Sequence, residues 1–192
     1  MAQKLILSIN NTLVTAGFKN AGYRSQFGFT HYGADYCSSS GSTTVYANGN
    51  GTVVERGNDS VLGNVVVVKY LDVKLPNGNT IAGVVIRYYH LASIAVSKGQ
   101  SVTKDTVLGQ YGNTGQFSTG AHLHLEIDTD LNYPTYSPTL GSNSNIIKAG
   151  TDTVLNPVNV LFKKTTSPDN QTASIQSGNS CVVSSDASFT TY

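Results

Sequence analysis

Runs of β-branched and aromatic residues, closed by glycine or asparagine, follow one another along the middle of the chain. Successive side chains of a strand point to opposite faces, and short runs of this composition between turn residues are typical of strands. No amphipathic helical stretch of useful length lies between the runs. The pattern predicts strands at residues 43–47, 52–56, 64–73, 80–89, 100–102, 107–111 and 122–127.

A turn signal separates the two longest predicted strands. The dipeptide Asn77-Gly78 lies between runs rich in valine and isoleucine, and this is the strongest short-range signal for a hairpin. We therefore expect residues 64–73 and 80–89 to pair antiparallel. Short strands joined by turns, without helices between them, favour antiparallel sheets folded on one another over a parallel α/β sheet. The predicted fold class is an all-β core with little helix.

Beyond residue 127 the alternating pattern fades. Residues 128–145 contain two prolines and are predicted to form a loop. Asn156-Pro157 then places a capping residue before a proline at the first helical position, which predicts one short helix within residues 156–162. Serine, threonine, asparagine and glutamine dominate residues 163–192, a composition typical of a flexible tail, a linker or a poorly patterned strand pair.

The composition narrows the classes of partner. Charged residues make up 12% of the chain and the net charge is +1, whereas about 25% of an average globular protein is charged. A phosphate-binding surface needs clustered basic residues, so we expect no nucleic-acid partner. We find no secretory signal at the start and no run near the roughly 18 apolar residues of a membrane span. We also expect the chain to act as a monomer.

The two cysteines are Cys37 and Cys181. Because they lie so far apart in the sequence, they fix neither a disulfide nor a redox compartment, and we interpret them as two independent thiols. Cys37 follows Asp35 by two residues and could compete for a metal ion, but a packed thiol is the simpler interpretation.

The chain has only four histidines, and they lie in three short segments. His122 and His124 are two residues apart in an alternating run, so on a strand both rings project from one face while Leu123 and Leu125 fill the other. This arrangement places one metal ligand and one catalytic base, or two ligands, side by side. The alternative is a pair of solvent-facing polar residues on a half-buried strand. Histidine both ligates zinc and transfers protons near neutral pH, which favours a metallohydrolase.

The other two histidines belong to separate segments. His31 and Asp35 would lie about 13 Å apart on a regular strand at roughly 3.3 Å per residue, which is too far for two ligands of one zinc ion. If both bind one ion, the backbone must fold back between them, and Gly33 supplies the conformational freedom; a surface pair without metal is the alternative. We expect His90 at a strand end, where it binds a developing oxyanion, orients a water or serves only as an edge residue.

Several motifs in a fixed order resemble the lysostaphin-like (LytM-type) zinc endopeptidases of bacterial cell walls and their phages. The resemblance covers residues 29–162, which is most of the chain. One departure is Phe29-Thr30 before His31, in a position where members of the family often carry a basic residue, and it leaves the substrate preference open. The motifs are His31-x-x-x-Asp35, Tyr89-His90-Leu91, Lys98-Gly99-Gln100-Ser101-Val102, Leu108-Gly109-Gln110-Tyr111-Gly112-Asn113-Thr114-Gly115 and Ser118-Thr119-Gly120-Ala121-His122-Leu123-His124-Leu125-Glu126.

The resemblance implies a site in which His31, Asp35 and His124 ligate one Zn²⁺ ion, leaving a fourth position for a bound water. It implies that His122 is the general base, and that His90 is a second active-site histidine that orients the water or stabilises the tetrahedral intermediate. Three protein ligands and an open position are what a catalytic zinc needs. Glu126 shares the strand face of the two histidines and is either a partner behind the ligands or a solvated side chain.

The implied activity is zinc-dependent hydrolysis of amide bonds in peptidoglycan stem peptides or cross-bridges. The alternative is a catalytically silent wall-binding or regulatory domain of the same fold. The implied fold is a set of antiparallel, sandwich-like sheets whose loops form a groove, with residues 1–28 packing on a peptidase domain at 29–162, followed by a tail or linker at 163–192. The expected site of action is extracellular or in the cell wall. Because no export signal is found, we expect a phage-borne enzyme, an enzyme released by lysis or a trimmed secreted protein.

Overall fold

The computed structural model describes residues 1–139 and 144–164. These residues form fourteen strands, a seven-residue α-helix α1 (Ala21–Phe27) and a 3-10 helix (Pro157–Asn159). The strands are β1 (Gln3–Ile6), β2 (Thr12–Ala16), β3 (Ala34–Ser38), β4 (Thr44–Tyr46), β5 (Gly51–Asp59), β6 (Gly63–Lys74), β7 (Thr80–Ile94), β8 (Ser101–Val102), β9 (Val107–Tyr111), β10 (Leu123–Asp128), β11 (Tyr136–Ser137), β12 (Lys148–Ala149), β13 (Val154–Leu155) and β14 (Leu161–Phe162).

Twelve of these strands form one sheet, whose main path runs β14-β1-β6-β7-β10-β3-β2. β5 extends it beside β6, β9 joins β7, and β4 and β8 pair with β9 and β5. Every strand predicted from the sequence is present, so the all-β fold class is confirmed. The sheet is mixed rather than purely antiparallel, because β1 pairs parallel with both β6 and β14. The sequence pattern had not identified seven of the strands, one of which, β11, lies in the loop predicted at residues 128–145; the seven are β1, β2, β3, β11, β12, β13 and β14.

The predicted hairpin joins the two longest strands. β6 and β7 are antiparallel, and their last pair before the turn is Lys74 opposite Thr80. The turn closes with a hydrogen bond of 3.0 Å from the Gly78 amide to the Leu75 carbonyl oxygen. Gly78 has φ +91°, a conformation that glycine adopts without a side-chain clash. The Asn-Gly signal therefore located the turn correctly.

The central strands are buried on both faces of the sheet. On β6, Val66 and Val68 belong to one apolar cluster while Val65 and Val67 belong to a second. Double-sided burial explains why this strand is a continuous valine run instead of an alternation of apolar and polar residues. Leu123, Leu125 and Ile127 of β10 lie in the first cluster and Tyr89 of β7 in the second. We call the second side, which carries Tyr89 and the alternate positions of β10, the site face.

The connections at the carboxyl end of the described chain are short. The helix expected within residues 156–162 is present as a single 3-10 turn, in which the Asn156 side chain accepts a hydrogen bond from the Val158 amide. β14 follows and pairs with β1. Most of the segment 163–192 lies outside the described residues. In the part of the chain that the structure describes, no helix is long and apolar enough to cross a membrane.

The expectation of two independent thiols is wrong for Cys37. Its side chain is disulfide-bonded and buried in the first apolar cluster. The thiol therefore does not compete for metal. A spacing in the sequence carries no information on which distant segments meet in three dimensions, which is why the pattern could not give this result. Cys181 lies outside the described residues.

Candidate metal centre

The pairing of three strands places Asp35 and His124 side by side. β10 lies between β3 and β7, and His124 is directly opposite Asp35 on one side and Tyr89 on the other. Directly opposed residues project from the same face, so the carboxylate and both rings meet on the site face. The Tyr89 ring stacks on the His124 ring with centroids 5.3 Å apart. The alternation along β10 thus puts His124 on the site face, as the sequence pattern predicted.

His31 joins this pair from the segment that precedes β3. Its Nε2 atom is 3.1 Å from Asp35 Oδ1 and 3.0 Å from His124 Nδ1, and the last two atoms are 2.9 Å apart. All three side chains are buried. His31 lies outside the strand, so the fold-back that one shared ion requires is present.

The structure explains the glycine at position 33 differently from our expectation of backbone flexibility. Gly33 does not have a positive φ, so no special backbone conformation demands glycine there. A Cβ atom at this position would instead lie 2.5 Å from His124 Nε2 and 2.6 Å from the Leu125 carbonyl oxygen. Real Cβ atoms do not approach other atoms so closely, and the absent side chain lets the His31 segment lie directly against β10. Close packing, and not flexibility, selects glycine.

Backbone carbonyl groups fix the orientation of three of the histidines. His31 Nδ1 is 2.8 Å from the Gly17 oxygen, His90 Nδ1 is 2.8 Å from the Thr114 oxygen and His122 Nδ1 is 2.7 Å from the Gly120 oxygen. A carbonyl oxygen only accepts hydrogen bonds, so each Nδ1 carries a hydrogen. In the neutral rings Nε2 is then the atom with a free electron pair. The free pair of His31 faces Asp35 and His124.

The three converging atoms fit a zinc ion. A nitrogen electron pair, a second imidazole nitrogen and a carboxylate oxygen repel one another at about 3 Å unless a cation or proton lies among them. Tetrahedral zinc with bonds of about 2.0–2.1 Å separates its ligand atoms by about 3.3 Å, close to the observed spacing. Two imidazoles and one carboxylate are also donors that zinc accepts. His31, Asp35 and His124 are therefore the described residues placed to hold a metal ion.

The electrostatics of the cluster agree with cation binding. Burial acts to raise the pKa of Asp35, but the neighbouring His31 and His122, with hydrogen bonds from His124 and His31, hold it well below its usual range. Burial lowers the pKa of His124, although Asp35 opposes this shift. The pKa of His31 shifts the other way, because burial lowers it but Asp35 outweighs burial and raises it. The site thus combines an ionised carboxylate with a neutral His124, and a metal ion would compete with a proton at His31.

We expected His90 at a strand end, but it lies inside β7. β7 continues to Ile94, and His90 has φ +62°, the left-handed conformation that is uncommon for any residue other than glycine. The pairing register shifts on both sides of this residue, against β6 and against β9. The His90 ring consequently lies near the site, 4.9 Å from the His122 ring and 6.0 Å from the His124 ring between centroids.

The environments of His90 and His122 differ. Burial, together with the nearby His122 and His124, lowers the pKa of His90 to about 3. His122 precedes β10 and forms an isolated bridge with Gly112. Its side chain is 15% exposed, and its Nε2 atom is 3.6 Å from Asp35 Oδ1. The structure therefore brings together all five residues that the resemblance implied, with His122 as the histidine that solvent reaches.

Glu126 is not a solvated side chain, which corrects one of our two interpretations. It is fully buried and forms an ion pair with Arg87 on the neighbouring strand. Its Oε2 atom accepts hydrogen bonds from the Ser137 and Thr139 hydroxyl groups at 2.9 and 3.0 Å. Because its partners are these groups, Glu126 does not orient a histidine ring by a hydrogen bond.

Sequence analysis missed an aromatic group beside the site. Tyr23 of α1 stacks on the His31 ring with centroids 4.3 Å apart and planes at 20°. Phe29 contacts Tyr23 edge-on and stacks on Phe117 at 4.9 Å. The helix itself had a readable signal, since Asn20 caps its start and Gly28, at φ +79°, ends it. The stacking of Phe29 on Phe117 had no signal in the sequence, because the two residues are distant along the chain.

Comparison with known protein families decides the classification. The sequence model of peptidase family M23 matches residues 29–135, more than half of the chain. The chain belongs to peptidase family M23. The resemblance to lysostaphin-like peptidases is thereby confirmed. The matched M23 range contains His31, Asp35, His90, His122 and His124.

Similar proteins support the M23 assignment over part of their length. The chain is 41% identical over 97 residues to peptidoglycan DD-endopeptidase ShyA of Vibrio cholerae, and 33% identical over 97 residues to ShyB of the same organism. In each comparison the match covers 50% of this chain and 20% of the relative. The chain thus spans about a fifth of the length of these curated relatives.

Solved structures show the same fold. A zinc-containing peptidase from Vibrio cholerae is similar with a TM-score of 0.50 and 27% identity, over 66% of this chain and 36% of the other. The SpoIIQ–SpoIIIAH pore-forming complex contains a chain that is similar with a TM-score of 0.56 and 22% identity, over 83% of this chain and 92% of the other. At that identity the second likeness shows the fold alone.

Proposed function

We propose that this M23 domain is a zinc-dependent endopeptidase that hydrolyses amide bonds in peptidoglycan stem peptides or cross-bridges. The observation that carries the proposal is the convergence of His31, Asp35 and His124 on one point, with His90 and His122 beside it. The similarity to ShyA and ShyB, both peptidoglycan DD-endopeptidases, supports the substrate class. We further propose that residues 1–28 pack on a peptidase domain at 29–162, and that the enzyme acts on the cell wall from outside the cytoplasm.

In this proposal His31 Nε2, Asp35 Oδ1 and His124 Nδ1 hold one Zn²⁺ ion and leave a fourth position for water. A bound zinc ion lowers the pKa of its water toward 7 and polarises the scissile carbonyl group. His122 has the free electron pair of its Nε2 atom near Asp35 and is partly exposed, so it accepts the proton of the attacking water and returns it to the leaving amine.

The second histidine has a distinct task in the proposal. The Thr114 carbonyl oxygen holds the Nδ1 hydrogen of His90, and burial keeps the ring neutral. Its Nε2 atom is therefore an acceptor, suited to receive a hydrogen bond from water and so to orient it. Donation to an oxyanion would require a protonated ring, which burial disfavours. Of the two roles implied by the resemblance, we propose the orientation of water.

Digestion of purified cell walls by the full chain tests this function. We expect new amino termini to appear with zinc, to cease on addition of a chelator and to reappear when zinc is restored. The competing proposal is a silent wall-binding or regulatory domain, which predicts equally few new amino termini with and without zinc. Mass spectrometry of the fragments from walls of defined cross-bridge type then identifies the bond.

Substitutions at the site separate metal binding from proton transfer. Replacing Asp35 or His124 with Ala is expected to abolish bound zinc, because two donor atoms do not hold the ion. His122→Ala is expected to retain a full equivalent of zinc while slowing hydrolysis by about 100-fold, the loss typical of a missing general base. Metal analysis and initial rates measure both. Asp105→Ala, at an exposed carboxylate in the turn before β9, serves as the control. Normal turnover by the His122 variant would refute the general-base role.

A further inference from the structure

The strands that carry the metal centre also carry a second group of buried charges. Apart from His90 and His124, the acidic and basic side chains of β3, β7 and β10 are Asp35, Arg87, Glu126 and Asp128. All four are buried, and three of them are at most 1% exposed. Glu126 and Asp128 each form an ion pair with Arg87, and we call these three residues the buried charge network.

Hydrogen bonds hold the buried charge network in place. The guanidinium group of Arg87 donates to Glu126, to Asp128 Oδ2 at 2.8 Å and to the Pro134 carbonyl oxygen at 2.9 Å. Asp128 Oδ1 accepts from Thr153 Oγ1 at 2.6 Å and from the Asp130 amide at 2.8 Å. Together with the two hydroxyl donors to Glu126, these bonds satisfy both carboxylates. The network is therefore a built feature with a fixed geometry.

The network lies directly behind the metal centre. In the register of β10 with β7, the pair of Glu126 and Arg87 follows the pair of His124 and Tyr89 by two positions. Two positions on one face correspond to about 7 Å along the strand. Asp128 is four positions from His124, about twice as far. The side chains around Glu126 are themselves buried, so no solvent layer lies between Glu126 and the metal ligand His124.

The charges on these three strands do not balance. Three carboxylates and one guanidinium group give these strands a formal net charge of −2 when their histidines are neutral. Lys69 and Lys148 donate to the carbonyl oxygens of Leu131 and Ser144, and Lys19 pairs with Asp152. Uncompensated buried charge is costly, and a divalent cation at Asp35 would neutralise it fully.

Asp59 is another buried carboxylate of this region, and it does not alter the balance at the centre. Its oxygens accept hydrogen bonds from the Ser144 hydroxyl group and from loop amides, including those of Leu62 and Ile147. Amide dipoles therefore stabilise its charge locally.

We propose that Glu126 sets the zinc affinity of the centre through its buried negative charge, although it contacts neither the metal ion nor the substrate. Glu126 and Asp35 together attract the cation, while Arg87 prevents the two carboxylates of the network from repelling each other. This proposal rests on the proposed zinc site. It makes Glu126 a residue that acts through the electrostatic field of the site, which is stronger in a buried environment than in water.

Zinc binding by Glu126→Gln tests the proposal. The amide preserves the size of the side chain and one carbonyl acceptor for Ser137 and Thr139, but it removes the charge. We expect the Kd for Zn²⁺ to rise by roughly 10- to 100-fold, the range typical of residues just behind metal ligands. Competition with a chromophoric chelator at pH 7 measures the Kd on the full chain. Asp128→Asn removes an equal charge at twice the distance and should raise the Kd by a smaller factor.

A charge-restoring variant distinguishes electrostatics from structural damage. Arg87→Gln combined with Glu126→Gln returns the net charge of the three strands to the wild-type value. We expect its Kd for Zn²⁺ to lie within about threefold of wild type, whereas structural damage from two buried substitutions would add to that of one. Ser137→Ala removes a hydrogen bond to Glu126 without changing charge and is expected to leave the Kd within the same limit. Urea unfolding in chelator measures the stability of each apo variant.

Three results would overturn the proposal. One is a Glu126→Gln protein that is folded and binds zinc as tightly as wild type. Another is a double variant that binds zinc more weakly than Glu126→Gln. If the single variant does not fold, the double variant is compared with wild type instead, and its Kd for Zn²⁺ must match the wild-type value. The third is an equal loss in the Glu126 and Asp128 variants. A wild-type chain that binds no zinc would instead refute the proposed function itself.

Discussion

At the scale of single residues, the centre depends on two backbone features. His90 has a left-handed φ, which costs a residue other than glycine about 1–3 kcal/mol. On a regular strand His90 would point away from the face that carries Tyr89, because neighbouring residues alternate. The positive φ and the two register shifts bring both rings to one side. Strand pairing around His90, which the long apolar strands stabilise, offsets the free-energy cost of its positive φ.

Gly33 is the second such residue, and Gly33→Ala is expected to damage the metal centre. The added methyl group would meet His124 Nε2 and the Leu125 carbonyl oxygen, so either the ring or the strand must move. We expect a loss of about 1–3 kcal/mol in the free energy of unfolding, the usual cost of overpacking. We also expect at least tenfold weaker zinc binding, because a ligand is displaced. Chelator competition and urea unfolding measure the two effects.

Gly17→Ala provides the matched control. Gly17 lies in the segment leading to His31 and has no atom within 4 Å of the position its Cβ would take. Its carbonyl group, which holds His31 Nδ1, is unchanged by the substitution. Its zinc affinity should equal that of wild type. Equal zinc affinity in the Gly33 variant and this control would show that the contact with His124 is unimportant.

At the scale of elements, loops are held to the sheet by individual polar side chains. Asp59 at the end of β5 accepts hydrogen bonds from the amides of Val61 and Leu62, and from those of Ile146 and Ile147. The Leu62 carbonyl oxygen in turn accepts from the His90 amide. One carboxylate therefore connects the β5–β6 turn, the loop around residue 146 and the backbone beside the site.

Asp59→Asn is expected to cost about 1–3 kcal/mol of unfolding free energy at pH 7, because charge-assisted hydrogen bonds are lost in a buried place. Chemical denaturation measures this value. The exposed Asp105, which pairs with the exposed Lys104, is the control, and Asp105→Asn should change stability by less than about 0.5 kcal/mol. Equal stability of the two variants would contradict the role of Asp59.

The same residue predicts a pH dependence. Burial acts to raise the pKa of Asp59, but hydrogen bonds from Ser144 and the loop amides hold it below the ordinary value of 3.8. Between the lower pKa of the folded state and the ordinary pKa of the unfolded state, the unfolded chain therefore binds more protons, and stability falls as the pH drops. The contribution is complete above about pH 4 and is lost through the lower, folded pKa. We expect Asp59→Asn to unfold with a shallower pH dependence below pH 4; an unchanged slope would exclude this group.

At the scale of the whole molecule, the metal centre joins distant parts of the chain. His31 precedes the sheet strand β3, Asp35 begins it, and His124 comes from β10, 89 positions later. An ion bound by all three cross-links these segments in the folded state only. Binding to the native state alone stabilises a protein by mass action.

Zinc should therefore raise the melting temperature. At free zinc 100-fold above its Kd we expect about 2.7 kcal/mol of stabilisation, which is roughly 5–10 °C for a chain of this size. Differential scanning calorimetry with and without chelator measures the shift. Asp35→Ala should melt at one temperature in both conditions. An equal zinc-induced shift in that variant would place the ion elsewhere.

Local sequence patterns were enough to predict the strand composition of the core, the hairpin at Asn77-Gly78 and the face shared by His122 and His124. These features depend on neighbours in the chain, through alternation, turn preference and solvent exclusion. The motifs also carried the family resemblance. β1 and β14 escaped prediction because they are short strands whose partners are distant, and α1 because its helix has no buried face.

How these parts meet depends on the folded chain. The fold placed Asp35 opposite His124, turned His90 into the site by a positive φ, and excluded a side chain at Gly33. It also paired Arg87 with Glu126 in the interior, where the sequence left a solvated glutamate open. Each of these results follows from contacts between residues far apart in the chain, and such contacts arise from packing and sheet register, which no local pattern of residues encodes.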